Sequence, residues 1–284
     1  MGRDDLIAGV VVLYHPSDAD VANIASYAHR FDRLFLIDNS ETDNAGLFAD
    51  IVSARAAYIP LMRNYGIAHA LNLGFEKAKA EGIAYVVTMD QDSRFETDIV
   101  AVYREFIRAR GMRGVLALTP QYRTDRSGGG RRTGYEKIRL SMQSGCLFSV
   151  EAFERIDRFD DALFLDVADW EFFVRGWKAG LTTIRCNGAV LAHRPGITRQ
   201  TRFAGMTLRY GTASPVRYYY QIRNLLWAYR KHRYAYFLFV FLVKWAKIFL
   251  LFDHKAAYIR LGRRAIADAL AGVLGEYRAE EAVV

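Results

Sequence analysis

The chain has 284 residues, of which 52% are hydrophobic and 14% aromatic. A sequence of this length and apolar content can bury a full hydrophobic core, which excludes an intrinsically disordered protein. Its two cysteines, Cys146 and Cys186, are too few for a disulfide framework and form no Cys-x-x-Cys zinc motif, so we expect buried, reduced thiols.

The positive charge is concentrated near the carboxyl end of the chain. The formal net charge is +8, yet the segment from Ile197 to Arg264 holds 14 Lys and Arg against one acid, Asp253. That segment therefore carries +13 and the remainder of the chain carries −5. This asymmetry predicts an anionic partner for the C-terminal region, either a phosphate-rich surface or nucleic acid.

The amino-terminal stretch MGRDDLIAGVVVLYHP, residues 1–16, does not have the pattern of a secretory signal. Its apolar run is short and interrupted early, and no small-residue cleavage pattern follows it. The sequence therefore predicts a protein that stays in the cytoplasm.

Apolar strand-like runs alternate with helical stretches through the first half of the chain. Buried strands are predicted for residues 8–15, 33–40, 56–62, 84–92 and 113–120. Helices are predicted for residues 21–31, 66–82 and 96–111. This rhythm indicates a doubly wound α/β sheet, in which ligands bind at the carboxyl ends of the strands. Asp38, Asn39, Asp90 and Asp92 fall at such ends.

Two common phosphate-binding motifs are missing from the sequence. No Gly-x-Gly-x-x-Gly follows the first strand, and no Gly-x-x-x-x-Gly-Lys-Ser/Thr occurs. This argues against a dinucleotide-binding Rossmann domain and against a P-loop nucleoside triphosphatase. The glycine-rich stretch at residues 124–134 follows no predicted strand and opens no apolar helix, so we interpret it as a mobile loop.

The pair Asp90 and Asp92 is the first candidate for chemistry. Two carboxylates one residue apart at a strand end can engage a hard divalent cation and the hydroxyls of a sugar nucleotide together. Turns are also rich in Asp, so the pair alone does not decide between a metal site and a solvated strand end.

The stretch directly before that strand strengthens the metal-site interpretation. Residues 63–82 contain Asn64 and Gly66 followed by small residues at alternating positions, which let a ligand or a backbone approach a helix start. A small-residue packing face would explain the alanines of this stretch, but not Asn64 and Gly66.

A second acidic stretch and a histidine complete the candidate site. Asp166, Asp169 and Glu171 lie among Phe, Leu and Trp within residues 159–180, where a carboxylate usually has a task or a partner. An acid at a helix start can also simply cap it. His193 ends another apolar run, and only the neighbouring candidates distinguish it from an ordinary core histidine.

An aromatic and basic helical stretch begins at Tyr218. Its apolar part, roughly Tyr234 to Phe252, is too short to span a membrane and is interrupted by Lys244 and Lys247. On a helical wheel one side holds Arg233, Lys244, Lys247 and Lys255, apart from Leu238, Leu242, Trp245, Phe249 and Phe252. This pattern favours a helix lying in an anionic membrane interface. The alternative is a core helix whose lysines reach solvent by snorkelling.

The order and spacing of several motifs resemble a family-2 glycosyltransferase with the GT-A fold, in the bacterial rhamnosyltransferase-like branch. The motifs are VVVLYHP, LIDNS, NYGIAHALNLG, MDQDS, SGCLFS, FDDALFLDVADWEFFVRG, AHRPG and RYYYQIRN. The resemblance runs from about Gly9 to Arg230. It implies an α/β fold with a doubly wound mixed sheet flanked by helices, followed by a basic and aromatic helical extension.

The resemblance also implies contacts with a nucleotide sugar. Asp38 would hydrogen-bond the pyrimidine base, beside backbone near Tyr14 and His15, and Asp90 would contact the ribose. Arg223 and Asn224 would close over the diphosphate. Further contacts are implied for Asn39, Arg63, Asn64, Gly66 and Gln91.

The catalytic and metal-binding roles follow from the same resemblance. Asp92 and His193 would hold Mg²⁺ or Mn²⁺, and Asp169 would be the general base. Many relatives carry Glu where this chain has Ala168, and Glu171 follows two residues after Asp169. The general base is therefore either Asp169 or Glu171, and we favour Asp169.

These observations predict an inverting, metal-dependent glycosyltransferase. The expected donor is dTDP-L-rhamnose, and the expected acceptor is a lipid-linked glycan at the inner face of the cytoplasmic membrane. We expect a catalytic domain at residues 1–200, with a nucleotide-sugar half at about 1–120 and an acceptor half at about 121–200. A membrane-associated helical region would occupy residues 201–284.

Two other functions compete with this prediction. A sugar-phosphate nucleotidyltransferase shares the topology but usually opens with a Gly-rich basic loop, which VVLYHPSDAD lacks. A non-enzymatic module could bind an anionic membrane or nucleic acid through the basic, aromatic C-terminal region. That second function leaves the carboxylates at the strand ends unexplained, so we expect no nucleic acid partner.

Overall fold

A mixed β-sheet forms the centre of the computed structural model, which describes residues 6–125, 132–193, 196–203 and 206–278. The central strands are β1 (Ile7–Leu13), β2 (Arg33–Asp38), β3 (Ala56–Pro60), β4 (Tyr85–Asp90), β5 (Arg94–Phe95), β6 (Val115–Arg123), β7 (Tyr135–Ile138), β8 (Leu147–Ser149) and β9 (Thr182–Ala192). A separate hairpin pairs β10 (Ile197–Phe203) with β11 (Met206–Thr212). Most of the glycine-rich stretch predicted as a loop, residues 126–131, lies outside the described residues.

Eight α-helices accompany these strands in the described part of the chain. They are α1 (Asp18–Ala28), α2 (Ile67–Ala80), α3 (Ile99–Arg110), α4 (Val150–Arg155), α5 (Ala168–Lys178), α6 (Pro215–His232), α7 (Ala235–Leu251) and α8 (Lys255–Ala271). The five strands and three helices predicted for the first half of the chain all occur, within a few residues of the predicted bounds.

The sheet order is β3-β2-β1-β4-β8-β6-β9-β5, with β7 paired to β9. Strands β1, β2, β3 and β4 are parallel, so their carboxyl ends meet at one edge of the sheet. Strand β8 lies antiparallel between β4 and β6, which makes the sheet mixed. The predicted α/β architecture with a mixed sheet flanked by helices is confirmed.

Hydrophobic cores cover both faces of the sheet. Alternate residues of β1 divide between them: Ala8 and Val10 face the core with α2, α4 and α5, whereas Val11 and Leu13 face the core with α1 and α3. Successive side chains of a strand point to opposite faces, and both faces are covered here. The sequences of these strands are therefore continuously apolar instead of alternating between apolar and polar residues.

The small residues of α2 are a packing face. Ala68, Ala70 and Gly74 are buried against the sheet, and a Cβ on Gly74 would overlap the side chain of Val10. The packing explanation therefore accounts for this part of the stretch.

Helix α7 is oriented differently from the prediction. The ammonium groups of Lys244 and Lys247 point inward, where Lys244 donates to Oε1 of Gln221 at 2.7 Å and Lys247 donates to the carbonyl of Gly211. The predicted basic stripe on the membrane side is therefore wrong for these two lysines. No helix in the described residues is both long enough and apolar enough to cross a membrane.

The outer side of α7 is apolar instead. Its exposed side chains lie on one helical face and are Ala235, Tyr236, Phe239, Leu242, Val243, Ala246, Phe249 and Leu250. Arg233 precedes the helix, and Lys255 follows it and donates to the carbonyl of Phe249 at 2.5 Å. The two cations therefore sit at the ends of the apolar face.

Both cysteines are free and buried, as the sequence predicts. Cys146 lies in the core beside α2, and Cys186 lies in the core beside α3. Burial raises the pKa of each thiol to about 12. Neither thiol lines the cavity described below.

The contact between Gly74 and Val10 gives a test of the α2 packing. We expect Gly74→Ala to lower the free energy of unfolding by about 1–3 kcal/mol, because the added methyl group overpacks the core. Gly46 is exposed, with open space around its Cβ position, so Gly46→Ala is the matched control. Urea unfolding of both variants measures the difference, and equal stability of the two would contradict the packing described here.

Candidate active site

A cavity of about 890 Å³ lies at the carboxyl ends of β1, β2 and β4. Strand ends supply one wall, and α5, α6 and α7 supply another. The predicted site residues that line it are Tyr14, Asn39, Asn64, Gly66, Asp90, Gln91, Asp92, Asp169 and His193. The fold therefore gathers residues from six separate sequence motifs in one place.

Asp90, Asp92 and His193 form a cluster that could hold a metal ion. One ligand atom from each of them lies within 4.8 Å of the others. Asp90 ends β4, Asp92 is the exposed member of the set, and His193 follows β9 and is buried. Two carboxylate oxygens and an imidazole nitrogen suit a hard divalent cation with open positions for water or substrate.

Neutral hydrogen bonds orient this cluster. Ser93 Oγ lies 2.8 Å from Nδ1 of His193 and accepts from Ser144 Oγ at 2.7 Å. The side-chain amide of Gln143 donates to Oδ1 of Asp90. Hydrogen bonds of this kind fix the orientation of ligating side chains and are a recurrent support of metal sites.

The surroundings of Asp90 disfavour its charged form when no cation is bound. Burial raises the pKa of Asp90 to about 6, the charge of Asp92 adds to the rise, and His193 opposes it. A bound divalent cation would favour the ionised form of both carboxylates.

Amide side chains build the wall next to the cluster. Gln91 and Tyr14 bond each other: the Tyr14 N–H donates to Oε1 of Gln91 at 2.7 Å. Asn39 donates to Oδ1 of Asn64 at 2.9 Å and accepts the N–H of Tyr65 at 2.9 Å. These reciprocal bonds fix the loops after β1, β2 and β3 at the cavity edge.

Gly66 has a conformational role at the start of α2. Its φ is 87°, and a Cβ at this position would lie 2.5 Å from the carbonyl oxygen of Phe164. That carbonyl accepts the N–H of Ile67 at 2.8 Å and so satisfies one of the free donors of the helix start. Glycine is required here for the close backbone approach.

The segment that receives this contact is a strained turn before α5. Phe164, Asp166 and Val167 have φ values of 59°, 59° and 70°. Positive φ is uncommon for residues other than glycine and is a clear outlier for a β-branched residue such as Val167. Strained backbone of this kind clusters at functional sites.

Asp169 is the carboxylate that this turn carries into the cavity. It is half-buried on the first turn of α5 and accepts the N–H of Trp170 at 2.8 Å. Burial raises the pKa of Asp169 to about 7, and the charges of Asp166 and Asp90 contribute to the rise. A carboxyl that titrates near neutral pH suits a general base.

Glu171 has a different environment although it lies only two residues away. It is fully buried, forms ion pairs with Arg175 at 2.8 Å and Lys231 at 3.0 Å, and is hydrogen-bonded to His232 at 2.8 Å. Burial alone would raise its pKa, but the His232 hydrogen bond and the Arg175 and Lys231 charges lower it to about 2. Glu171 therefore joins α5 to the end of α6, and the structure does not place it in the cavity.

Asp38 and His15 also lie away from the cavity lining. The carboxylate of Asp38 is fully buried, and both of its oxygens are already bonded inside the protein. The donors are Ser40 N–H and Oγ, Asn44 Nδ2 and Tyr58 OH. The predicted direct bond from Asp38 to a base is therefore not supported. His15 is exposed and pairs with Glu41 at 3.1 Å.

Three further predicted residues do not line this cavity. Arg63 lines a neighbouring pocket and pairs with Glu276 at 3.6 Å. Arg223 and Asn224 are fully buried in α6, where Arg223 donates to the carbonyl of Gly275 at 2.8 Å. The prediction that Arg223 and Asn224 close over a diphosphate is corrected, because both side chains are fully buried and their polar atoms are bonded within the protein.

Other residues of the same helix do reach the cavity. Arg217 and Gln221 line it and both bind the carboxylate of Asp166, Arg217 with two bonds at 2.9 and 3.0 Å. Lys244 and Lys247 line it from α7. The helical spacing of four residues between Arg217 and Gln221 was the signal in the sequence that could have identified this face.

Comparison with known proteins identifies the family. The family model of "Glycosyl transferase family 2" matches residues 20–164. A curated relative, dTDP-rhamnosyl transferase RfbF of Shigella flexneri, is 24% identical over 302 aligned residues, which cover 95% of this chain and 97% of that protein.

Two solved structures share the fold. One is S. aureus TarS 1-349 in complex with UDP-GlcNAc, with a TM-score of 0.62, 12% identity, and coverage of 94% of this chain and 81% of the other. The other is GalNAc-T7 with UDP, GalNAc and Mn²⁺, with a TM-score of 0.59, 13% identity, and coverage of 79% and 47%. Both are glycosyltransferases of the GT-A fold. The chain therefore belongs to glycosyl transferase family 2 and is a glycosyltransferase with the GT-A fold.

Proposed function

We propose that the enzyme transfers L-rhamnose from dTDP-L-rhamnose to a hydroxyl group of a lipid-linked glycan. The observation that carries the proposal is the single cavity that holds both the Asp90, Asp92 and His193 cluster and the Asp169 carboxylate. The choice of donor is supported by the relative named as a dTDP-rhamnosyl transferase, which matches along nearly its whole length.

The donor is assigned to the strand-end wall of the cavity. Asp90, Asp92 and His193 would hold Mg²⁺ or Mn²⁺, and a cation bound there would supply counter-charge for the departing diphosphate. The Mn²⁺ in the GalNAc-T7 structure supports a divalent cation in this fold. Tyr14 and Asn39 line the same wall and are assigned to the nucleoside.

Asp169 is assigned as the general base. The acceptor oxygen attacks the anomeric carbon while the bond from that carbon to the diphosphate oxygen breaks, and Asp169 takes the hydroxyl proton. Attack from the face opposite the leaving group inverts the anomeric centre, so no second nucleophilic side chain is required. Positioned proton transfer of this kind contributes about 10² to 10⁴ in rate.

The acceptor is assigned to the membrane surface on the strength of α7. Its exposed face is apolar along the helix, and Arg233 and Lys255 flank it. An apolar face with cations at its ends suits a helix lying in an anionic lipid interface. We infer that the enzyme is peripheral on the inner face of the cytoplasmic membrane.

The donor assignment predicts a ranking among nucleotide sugars. We expect dTDP-L-rhamnose to be hydrolysed or transferred faster than UDP- and GDP-sugars, and only with Mg²⁺ or Mn²⁺ present. Release of nucleoside diphosphate across the donor panel measures this. A faster reaction with a UDP- or GDP-sugar would replace the proposed donor while leaving glycosyl transfer intact.

The metal site has its own control in the same assay. Asp92→Ala should lose Mn²⁺ binding, measured by the EPR signal of free Mn²⁺, together with donor turnover. Asp253 is an exposed acid outside the cavity, so Asp253→Ala should change neither. Full Mn²⁺ binding by a folded Asp92→Ala protein would contradict the assigned metal ligands.

The assignment of Asp169 predicts both a mutational effect and a pH profile. Asp169→Asn should lower kcat by ~10² or more with donor KM nearly unchanged, because the amide cannot accept the proton. In the wild type, kcat should fall as pH drops through about 7, since the base works only when ionised. Steady-state kinetics from pH 5 to 9 measure both.

Glu171→Gln is the control that separates the two carboxylates. It removes the charge that compensates Arg175 and Lys231, so it should destabilise the fold by roughly 3 kcal/mol or more. The folded fraction should keep its kcat and its acidic limb near pH 7. If Glu171→Gln loses turnover while Asp169→Asn retains it, the base has been misassigned.

The membrane assignment predicts that the apolar face of α7 is needed for lipid binding. Wild-type protein should float with vesicles containing anionic phosphatidylglycerol, and Leu242→Glu should reduce this strongly. Leu270 on α8 has the same 56% exposure as Leu242, so Leu270→Glu is the matched control. Equal flotation of the two variants, with folding checked by circular dichroism, would exclude α7 as the lipid-binding surface.

A further inference from the structure

The turn before α5 depends on contacts from outside itself. Three of its residues, Phe164, Asp166 and Val167, have positive φ, and none of them is glycine. Such conformations persist only where the surrounding structure determines them. The first residue of α5, Ala168, follows directly, and Asp169 is the second.

Asn224 on α6 supplies the densest of these contacts. Its side-chain amide nitrogen lies 2.8 Å from the carbonyl of Leu163, 2.8 Å from that of Leu165 and 3.0 Å from that of Asp166. Its other side-chain atom, Oδ1, accepts from Nε of Arg223 at 2.9 Å. The amide is thereby fixed in one orientation, with its donors toward the turn.

The buried location of Asn224 makes its hydrogen bonds important for the conformation of the turn. The residue is fully buried, so water cannot replace the bonds that it makes. Arg217 and Gln221 lie on the same face of α6 and hold the side chain of Asp166 in the same turn. One face of α6 therefore binds both the backbone of the turn that leads to Asp169 and the side chain of Asp166 in that turn.

We propose that Asn224 is a positioning residue that sets the place of Asp169 in the cavity by holding the carbonyls of Leu163, Leu165 and Asp166. The proposal rests on the assignment of Asp169 as the base. Asn224 itself touches no reacting atom. When its donors are removed, the turn relaxes, α5 begins in a different place, and Asp169 no longer meets the acceptor hydroxyl in the productive geometry.

The test uses the isosteric change Asn224→Asp, which keeps the acceptor for Arg223 and replaces the donor by an oxygen. We expect kcat to fall by about tenfold or more, because small misplacements of a catalytic group have effects of this size. The donor KM should stay within about twofold, since the strand-end wall is untouched. Hydrogen exchange of peptides covering residues 163–171 should become faster.

Asn187 offers a matched control. It is a buried asparagine whose amide donates to the carbonyl of Thr133 at 3.1 Å, away from the cavity lining. Asn187→Asp therefore makes the same chemical change in a buried backbone contact. It should lower the melting temperature without changing kcat or the exchange of residues 163–171.

The outcomes separate the possible roles of Asn224. Unchanged kcat in folded Asn224→Asp, or unchanged exchange of residues 163–171, would overturn the proposal and leave a purely structural role. If Asn224→Asp does not fold, Asn224→Ser, which keeps one donor, should show the same pattern with a smaller loss. If the wild type transfers no sugar, the assigned reaction fails, while the exchange measurement still decides whether Asn224 holds the turn.

Discussion

Asp169 enters the cavity from a short backbone turn that would not keep its conformation alone. Each residue in such a strained conformation costs about 1–3 kcal/mol, and the turn before α5 contains three of them. Hydrogen bonds contribute about 1 kcal/mol each, so several must converge to offset the strain. They come from α2, whose Ile67 N–H binds Phe164, and from α6 through Asn224. The turn therefore joins the sheet-packed half of the protein to its C-terminal helices.

Two carboxylates of α5 show how position decides chemistry. Asp169 and Glu171 lie on the same helix two residues apart, yet one has its pKa raised to about 7 and the other has it lowered to about 2. The difference comes from the partners of Glu171, which is hydrogen-bonded to His232 and forms ion pairs with Arg175 and Lys231. Partners on α5 and α6 thus hold Glu171 in its charged form, whereas Asp169, which lines the cavity, keeps a raised pKa.

The sequence predicted the sheet and one edge of the site because strand polarity is readable from it. Parallel strands end at one edge, so Asp90 and Asp92 had to meet the loops after β1 and β2. It could not predict that the carboxylate of Asp38 is saturated by neighbouring donors, nor that Asn224 binds backbone rather than ligand. A polar residue near a strand end or in a helix can bond either a ligand or the protein itself. Which of the two it bonds depends on how the surrounding loops fold. Similarly, a helical wheel groups Lys244 with Lys247 but does not say which side of α7 faces inward.

The two buried cysteines have a practical consequence. Because burial raises the pKa of each thiol to about 12, almost no thiolate forms at neutral pH. Reagents such as maleimides react with the thiolate, and both sulfur atoms are also shielded by the core. Neither native cysteine should therefore react during site-specific labelling of an introduced cysteine. A single cysteine introduced on the exposed face of α7 or near the turn before α5 would carry a fluorophore or spin label without prior removal of Cys146 and Cys186.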